Sequence, residues 1–319
     1  MEEREPCCEV DLVYLWVDGS DPDWLAKKQL VTGEEIDHSE VNNKGRYANN
    51  DELRYSLRSV ERYLPWVRRI FIVTDDQFPE WLERDHPKIS VIDHREILPE
   101  EALPCFNSSV IEYFLYRIPG LADRFLFAND DMFFNKALLP DYFFSKEGIP
   151  YVRLKRKLLR RWHYPFKRIF RKKLGQYISM VLEGATFVDR NFGVFYSGIP
   201  HHNVDAFVTD DFRHAVEVVF SEQVAASLHS HVRQYGDLHR SAFSYYALAT
   251  GKAKLKYVGR KESLRLNIYR QRFLQRLKRY DPDLFCLNDS QRVSDADRTA
   301  VRPFLEELFP EKSSFEKSI

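Results

Sequence analysis

The chain has 319 residues, of which 44% are hydrophobic and 14% aromatic, as is typical of a soluble globular protein. Its 48 basic and 48 acidic residues cancel, so no overall field argues for a nucleic-acid partner. No apolar run approaches the ~18 residues that a membrane span needs, and the acidic N-terminus lacks the features of a signal peptide. We therefore expect a cytoplasmic protein whose four cysteines, which show no zinc-ligand spacing, are free thiols.

Strand-like and helix-like segments alternate in the first half of the chain. Short runs rich in Val, Ile, Leu, Tyr and Phe, each bounded by turn or charged residues, are typical of strands buried on both faces. Between them, apolar residues recur at helical spacing. This alternation predicts an α/β fold with an open, mostly parallel sheet and helices on both faces. The predicted strands cover residues 10–17, 69–74, 89–93 and 125–129, and the predicted helices cover residues 51–64 and 108–118.

Each predicted strand is followed by acidic or polar residues. In open α/β sheets, ligands bind at the carboxyl ends of the strands. We therefore expect these side chains to meet at one edge of the sheet. They belong to residues 18–21, 74–76, 93–94 and 129–131.

Asp130 and Asp131 follow the fourth predicted strand directly. Two adjacent carboxylates at the edge of a sheet are costly unless a cation or other partners compensate their charges. Mg²⁺ or Mn²⁺ is therefore one interpretation, because hard divalent cations prefer carboxylate oxygens. A solvated turn or a helix cap is the alternative.

Arg54 and Arg58 lie four residues apart on the first predicted helix and therefore share a face. Guanidinium groups at that spacing suit the binding of phosphate. A pair of exposed arginines without a ligand is the alternative, and it is the commoner arrangement on helices.

The second half of the chain is rich in histidine, a base whose ordinary pKa lies near neutrality. A zinc site is the competing interpretation, but the histidine spacings match no zinc signature and no cysteine is nearby. A single histidine is more often structural than catalytic, so the residues alone leave the choice among them open. The histidines concerned are His201, His202, His214, His229, His231 and His239.

Residues 153–173 contain eleven Lys and Arg residues and no acid, interleaved with apolar side chains such as Trp162, Phe166 and Phe170. This composition favours docking on anionic lipid or on an anionic polymer, and a solvated face is the alternative.

The basic stretch divides the chain into three predicted parts. These are a core at 1–150, a basic amphipathic excursion at 151–176 and a largely helical portion at 177–319 that completes the active site. Helices in this last portion are predicted at 205–220, 241–250, 264–279 and 295–308.

Four groups of motifs occur in order along most of the chain. They comprise residues 11–21; then 52–59, 65–68, 70–74, 106–108, 112, 117 and 129–131; then 191–193, 200–202, 232–233, 237 and 245–246; and last 286–289, 308–310 and 315–316. Together they resemble the four conserved regions of the Stealth family. That family includes bacterial capsule sugar-phosphate transferases and the animal N-acetylglucosamine-1-phosphotransferase that acts on lysosomal enzymes.

The resemblance implies a Rossmann-like transferase core with a divalent cation, Mg²⁺ or Mn²⁺. It implies transfer of a hexose or N-acetylhexosamine 1-phosphate from a nucleotide sugar, first of all a UDP-sugar, to a carbohydrate hydroxyl. Nucleoside monophosphate would be released, in capsule or exopolysaccharide synthesis. A conventional glycosyltransferase and a non-catalytic module that binds anionic glycan or membrane are the alternatives. The expected acceptors include lipid-linked polymer, and residues 153–173 are expected to allow peripheral contact at the inner membrane face.

The resemblance also assigns site residues. By spacing from Gly193 and Pro200, the important histidine of the family falls on His202, with His201 as the alternative, and the arginine of its third region falls on Arg233. The expected catalytic residues are Asp18, Asp131, His202 and Arg233. The expected donor-binding residues are Trp16, Gly19, Arg54, Arg58, Asn129 and Asn288, and the expected metal ligands are Asp130, Asp131 and Asp289.

Overall fold

The computed structural model describes residues 9–33, 45, 47–156, 161, 175–234, 237–270, 272–290 and 292–318. Its strands are β1 (Val10–Leu15), β2 (Ile70–Thr74), β3 (Ile89–Asp93), β4 (Arg124–Asn129), β5 (Met132–Phe134), β6 (Tyr151–Lys155), β7 (Ile199–Pro200), β8 (Asp205–Val208), β9 (Lys254–Tyr257), β10 (Ser263–Asn267) and β11 (Leu284–Asn288). Its α-helices are α1 (Pro22–Thr32), α2 (Glu52–Tyr63), α3 (His94–Ile97), α4 (Ser108–Tyr113), α5 (Pro140–Phe143), α6 (Gln176–Phe192), α7 (Thr209–His214), α8 (Ser221–Ser227), α9 (Ser241–Ala249), α10 (Phe273–Tyr280), α11 (Asp295–Arg298) and α12 (Val301–Leu308). Short 3₁₀ turns occur at Glu100–Ala102, Leu115–Arg117 and Ile268–Arg270, and a π-helical turn occurs at Ala215–Val219.

The largest sheet among the described residues has five strands in the order β3-β2-β1-β4-β8. Strands β1 to β4 run parallel, and β8 joins the edge antiparallel to β4. The register places Leu12 beside Ile70 of β2 and beside Leu126 of β4. The predicted mostly parallel sheet is thus confirmed, and each of the four predicted strands corresponds to one of β1 to β4.

Alternate residues of the parallel strands pack into two cores, one on each face of the sheet. Val13, Phe71 and Phe125 pack into a core that includes residues of α4, α6 and α9. Leu12 and Ile70 pack into the other core, which includes residues of α2. Because both faces are buried, these strands are near-continuous apolar runs in the sequence. Helices on both faces of the sheet, as predicted, are therefore confirmed.

The second half of the chain contains strands as well as helices. Within the described part, β10, β11 and β5 form one small sheet, and β7, β6 and β9 form another. The predicted helix at 264–279 is wrong in its first part. Leu264 and Leu266 are buried on either side of the exposed Arg265 and pair with β11, and only the later residues form α10. The predicted helix at 205–220 likewise begins as β8, which pairs with β4.

Most of the basic stretch lies outside the described residues. Its start forms β6, where Arg153 is buried with its guanidinium 4.1 Å from the centroid of the Tyr142 ring. Arg161 forms an ion pair of 3.2 Å with Asp189. The amphipathic docking segment stays a prediction for the rest of the stretch. Among the helices that are described, none combines the length and apolar character needed to cross a bilayer.

Candidate active site

A cavity of about 640 Å³ lies at the carboxyl ends of the parallel strands. Residues that follow β1, β2 and β4 line it, together with side chains from the second half of the chain. The strand order changes direction between β1 and β4, which is where open α/β sheets form a ligand crevice. Eight of the predicted site residues line this cavity, namely Trp16, Asn129, Asp130, Asp131, His202, Arg233, Asn288 and Asp289.

Asp130 and Asp131 lie in the tight connection between β4 and β5. Burial, with the added charges of Asp131 and Glu52, raises the pKa of Asp130 well above its usual range. Burial, followed by the charge of Glu52, raises the pKa of Asp131 to about 7. Ionising both carboxyls in this poorly solvated place is therefore costly, and a bound cation would offset that cost.

Glu52 is a third acid of this cluster, at the start of α2. Its carboxylate accepts hydrogen bonds from the backbone N–H and the side-chain amide of Asn50, at 2.6 and 2.7 Å. Burial raises the pKa of Glu52 above the ordinary glutamate value. Glu52 belongs to a motif in the sequence, but only the fold brings the start of α2 near the end of β4, so its place in the cluster could not be predicted.

The acidic pair fits a divalent cation. Oδ1 of Asp131 is buried and has no hydrogen-bond partner among the described residues, so it is an acceptor without a donor. Mg²⁺ usually takes one or two carboxylates, with phosphates and water as its other ligands. Asp130 and Asp131 can meet that requirement, although no group of three or more His, Cys, Asp or Glu side chains in the described ranges is placed to hold a metal.

Asp289 lines the cavity but has another partner. Its carboxylate accepts two hydrogen bonds from Arg298, at 2.7 and 3.0 Å, and a third from the backbone N–H of Ser290 at 2.6 Å. Its charge is therefore already paired with a guanidinium group. This pairing corrects the prediction that Asp289 is a metal ligand.

Arginines from the second half of the chain bring positive charge to the same cavity. Arg240 is buried and forms two ion pairs of 3.0 Å, with Glu112 and Asp205, so its charge is balanced. Arg233 donates a hydrogen bond to the first residue of α4. Neither Arg233 nor Arg265 forms an ion pair with any acid of the described ranges. The cavity thus combines carboxylates with guanidinium groups that can bind phosphate oxygens.

His202 is the member of the predicted histidine pair that lines the cavity. Its φ of 59° is left-handed, which is uncommon for a residue other than glycine. Burial, and then the nearby arginines, lowers the pKa of His202 to about 3, so its imidazole is neutral at pH 7. His201 is buried, with Nε2 3.2 Å from the carbonyl oxygen of Val204. The geometry therefore favours His202 over His201 for contact with a ligand.

His239 also lines the cavity, although its sequence did not set it apart from the other histidines. Its Nδ1 accepts a hydrogen bond of 3.1 Å from the backbone N–H of Ser241, so the neutral ring carries its proton on Nε2. Burial lowers the pKa of His239 well below its usual value. The ring of Tyr177 meets the rings of His239 and His202 edge-on, with centroids 5.3 and 6.4 Å apart.

The sequence matches three models of one protein family. They are Stealth protein conserved region 1 over residues 9–35, conserved region 2 over residues 46–152 and conserved region 4 over residues 275–319. The chain belongs to the Stealth family. The matched regions contain Trp16, the acidic pair and Asn288. His202 and Arg233 lie outside them, and their assignment stays a prediction.

Curated relatives of this Stealth chain have names that refer to polysaccharide synthesis. An exopolysaccharide phosphotransferase of Streptomyces coelicolor is 33% identical over 327 residues, which cover 97% of this chain and 51% of that protein. Exopolysaccharide phosphotransferase CpsY of Mycobacterium tuberculosis is 35% identical over 334 residues, which cover 97% of this chain and 58% of that protein. The chain spans about half the length of the curated relatives it matches.

Among solved structures, the galactosyltransferase LgtC in complex with donor and acceptor sugar analogues aligns over 95% of this chain and 96% of its own. The TM-score is 0.46 and the sequence identity is 12%. A similarity of this size does not assign an activity to the Stealth chain.

The first Stealth motif shapes a loop beside the cavity. The carboxylate of Asp18 accepts hydrogen bonds from the hydroxyl of Ser20 at 2.6 Å and from the side-chain amide of Asn49 at 3.1 Å. Gly19 donates its N–H to the carbonyl oxygen of Tyr47 at 2.9 Å, and a Cβ at this position would lie 2.2 Å from that oxygen. Both residues thus position the loop and Tyr47, which lines the cavity, and neither lines it directly. The predicted roles of Asp18 in catalysis and of Gly19 in donor binding stay predictions.

The two arginines of the second Stealth motif have a partner other than the predicted phosphate. Arg54 and Arg58 both donate to Glu316, with Nε–Oε distances of 2.5 and 2.6 Å. Arg58 is buried and also donates to the carbonyl oxygen of Phe309 at 2.7 Å. These contacts hold residues 309–316 against α2, and neither arginine lines the cavity. The predicted phosphate clamp is therefore corrected to a structural ion pair.

Proposed function

We propose that this chain transfers a sugar 1-phosphate from a nucleotide-sugar donor to a carbohydrate hydroxyl, in the synthesis of a capsule or exopolysaccharide. The proposal depends on one observation, the cavity at which Asp130, Asp131, His202, Arg233 and Arg265 meet. These groups suit phosphoryl transfer, which depends on positioning the reactants and on neutralising phosphate charge. The names of the curated relatives support the proposal.

The acidic pair and the arginines are the proposed binding groups for the donor diphosphate. A divalent cation, Mg²⁺ or Mn²⁺, held by Asp130 and Asp131 would supply positive charge to the diphosphate oxygens. Arg233 and Arg265 reach the same cavity and would neutralise charge that develops on the transferred phosphoryl group. The remaining proposed donor contacts are Trp16, Asn129 and Asn288.

His202 is the proposed base. The acceptor hydroxyl gives its proton to the neutral imidazole of His202, and its oxygen forms a bond to the sugar-linked phosphorus of the donor. The bond between that phosphorus and the nucleoside monophosphate breaks, and the monophosphate leaves with the electron pair. The product is a phosphodiester that joins the two sugars.

Donor binding would also strengthen this base. Burial contributes most to the low pKa of His202, and the positive charges of Arg265 and Arg240 lower it further. Phosphate oxygens entering the cavity would offset those charges, so the pKa of His202 should rise when the donor binds. The imidazole is therefore expected to accept a proton more readily in the complex than in the free protein.

The nucleotide that is released tests this function. The protein is incubated with Mg²⁺, a carbohydrate acceptor and a panel of nucleotide sugars that begins with UDP-glucose and UDP-N-acetylglucosamine. Anion-exchange chromatography then separates the nucleotide products. Nucleoside monophosphate supports the proposal, whereas nucleoside diphosphate indicates a conventional glycosyltransferase. No turnover, together with binding to an anionic polymer, indicates a non-catalytic module.

A further inference from the structure

The cavity has a second end, on the opposite side of β1 from the acidic pair. The strand order β3-β2-β1-β4 places the residues after β2 and β3 on one side of β1 and Asp130 and Asp131, after β4, on the other. Asp75 follows β2, His94 follows β3, and both line the cavity. Adjacent strands lie about 4.8 Å apart, so the two ends are separated by roughly 10 Å. An elongated ligand such as a nucleotide can bridge that distance.

Asp75 has an unused acceptor at this end. The side chain is buried, and its Oδ1 accepts a hydrogen bond of 3.0 Å from Nζ of Lys27. Oδ2 is buried and has no hydrogen-bond partner in the part of the chain that the structure describes. Lys27 thus holds the carboxylate in one orientation while the second oxygen remains able to accept a hydrogen bond. A buried acceptor without a donor is costly in a folded protein, so this oxygen is expected to have a hydrogen-bond donor as its partner.

His94 also has a buried polar atom without a hydrogen-bond partner in the described ranges. It is buried, and its Nδ1 has no hydrogen-bond partner among the described residues. Burial lowers the pKa of His94 to about 4, so the ring is neutral at pH 7 and presents one donor and one acceptor. Two unsatisfied polar groups of different type therefore lie at the ends of neighbouring strands.

An aromatic cluster lines the same cavity. Trp24, Tyr47 and Phe106 are each more than nine-tenths buried and pack together, with the Trp24 ring centroid 5.1 Å from that of Tyr47 and 5.3 Å from that of Phe106. The cluster provides the apolar surface that a flat heteroaromatic ring prefers. A nucleobase is such a ring, so the cluster suits a nucleobase.

We propose that this end of the cavity binds the nucleoside of the donor, with Asp75 accepting a hydrogen bond from a ribose hydroxyl and His94 and the aromatic cluster contacting the base. The inference rests on the proposed function in that its ligand is a nucleotide. In Rossmann-type sheets, an acid that follows the second strand of the unit binds ribose hydroxyls, and Asp75 occupies the corresponding position after β2. The phosphates then extend towards the acidic pair and the arginines.

Nucleotides that differ by one hydroxyl test the role of Asp75. Isothermal titration calorimetry with Mg²⁺ would give dissociation constants for UDP, 2′-deoxy-UDP and 3′-deoxy-UDP. A hydrogen bond to a charged acceptor implies that wild-type protein binds UDP roughly 10- to 100-fold more tightly than one of the deoxy analogues. In Asp75→Ala that difference should fall below about 3-fold, because the carboxylate and the hydroxyl act as one pair. If Asp75→Ala does not fold, Asp75→Asn should show a discrimination at least several-fold smaller than that of wild type.

Asp76→Asn is the matched control. Asp76 is the next residue, its side chain is 68% exposed and ion-paired with Arg95, and it does not line the cavity. This variant should discriminate between the analogues as wild type does. If UDP does not bind, ADP, GDP and CDP with their deoxy analogues are used in the same way.

Three results would overturn the inference: equal binding of the ribose and deoxyribose forms by wild type, undiminished discrimination in the Asp75 variants, or no binding of any nucleotide. The product assay remains independent of this experiment. Release of monophosphate with unchanged discrimination in the Asp75 variants would sink the inference and leave the proposed function standing. Release of diphosphate, together with lost discrimination in the Asp75 variants, would refute the proposed function and support the inference.

Discussion

Asp131 is the residue in which burial and charge conflict most directly. Its carboxyl is buried beside Asp130 and Glu52, and one oxygen has no hydrogen-bond partner among the described residues. Replacing it with Asn keeps the shape and removes the charge. Turnover should fall by roughly 10³-fold or more, because a metal contact is worth several kcal/mol in the transition state. The melting temperature in chelator should stay the same or rise, because repulsion is relieved.

Asp141→Asn is the control for this prediction, since Asp141 is an exposed residue of α5. It should change neither the rate nor the melting temperature. Full activity of the wild-type protein in EDTA would contradict the metal-dependent interpretation of the acidic pair.

His202→Ala tests the base. A general base contributes about 10²- to 10⁴-fold to the rate, so kcat should fall by that factor while donor affinity changes little. His214→Ala, at an exposed position, should behave as wild type. His201→Ala should lower the melting temperature and retain kcat below it, because His201 is buried and bonded to the backbone. If His201→Ala is inactive and His202→Ala is active, the base is His201 and not His202.

At the scale of single residues, the sequence predicted the chemical character of the site better than it predicted which side chains contact each other. The adjacent acids Asp130 and Asp131 indicated an unusual electrostatic site, and both line the cavity. Arg54 and Arg58 share a helix face as their spacing predicted, but no local pattern could show that Glu316 is their partner. His239 reaches the cavity only because the chain returns to the sheet far along the sequence.

At the scale of elements, the ion pairs of α2 with Glu316 make a prediction about stability. Side chains of Arg58 and Glu316 are 6% and 1% exposed, and breaking such a buried pair costs about 3–5 kcal/mol. Glu316→Gln should therefore lower the free energy of unfolding at pH 7 by about that amount. Glu307→Gln, on the exposed side of α12, should change it by less than about 0.5 kcal/mol.

The effect of Glu316→Gln should depend on pH. Burial alone would raise the pKa of Glu316, but hydrogen bonds from Arg58, Ser313 and Arg54 lower it to about 2. The unfolded value is about 4.3, so the carboxylate stabilises the fold fully above about pH 5. That contribution is lost as pH falls from about 4.5 to 2. Urea unfolding at several pH values should show the wild-type advantage shrinking across this interval, and a difference that does not vary with pH would contradict the prediction.

Local patterns predicted the central strands well and the later elements less well. Strands β1 to β4 are buried on both faces, so their sequences alone mark them as apolar runs. Residues 264–279 contain both helical and alternating spacing, and pairing of β10 with β11 decides between them. That pairing is a contact between distant segments, which a local window cannot detect.

At the scale of the whole molecule, the basic stretch 153–173 predicts association with an anionic surface. Each Lys or Arg near anionic lipid is worth ~1 kcal/mol, so changing Arg160, Arg161, Arg168 and Arg171 to Ser should weaken binding by roughly 10³-fold. Sedimentation with phosphatidylglycerol vesicles at several salt concentrations measures this. If the partner is the polymer, the same variant should raise KM for long acceptors and spare short ones. The control changes four exposed lysines, Lys146, Lys278, Lys312 and Lys317, to Ser. If the variant with the four arginine changes behaves like this control in both assays, the docking role is refuted.

The contact between Glu316 and α2 also has a consequence for how the chain is made. Glu316 comes 258 positions after Arg58 and 262 positions after Arg54 in the sequence. Helix α2 therefore leaves the ribosome long before its carboxylate partner has been synthesised. Until then, Arg54 and Arg58 lack the carboxylate that neutralises their charges, and α2 of the nascent chain carries two unpaired cations. Synthesis through residue 316 is therefore needed before the charges of α2 are balanced. A product that stops short of residue 316 lacks this pairing, and its α2 is expected to be more open to proteolysis.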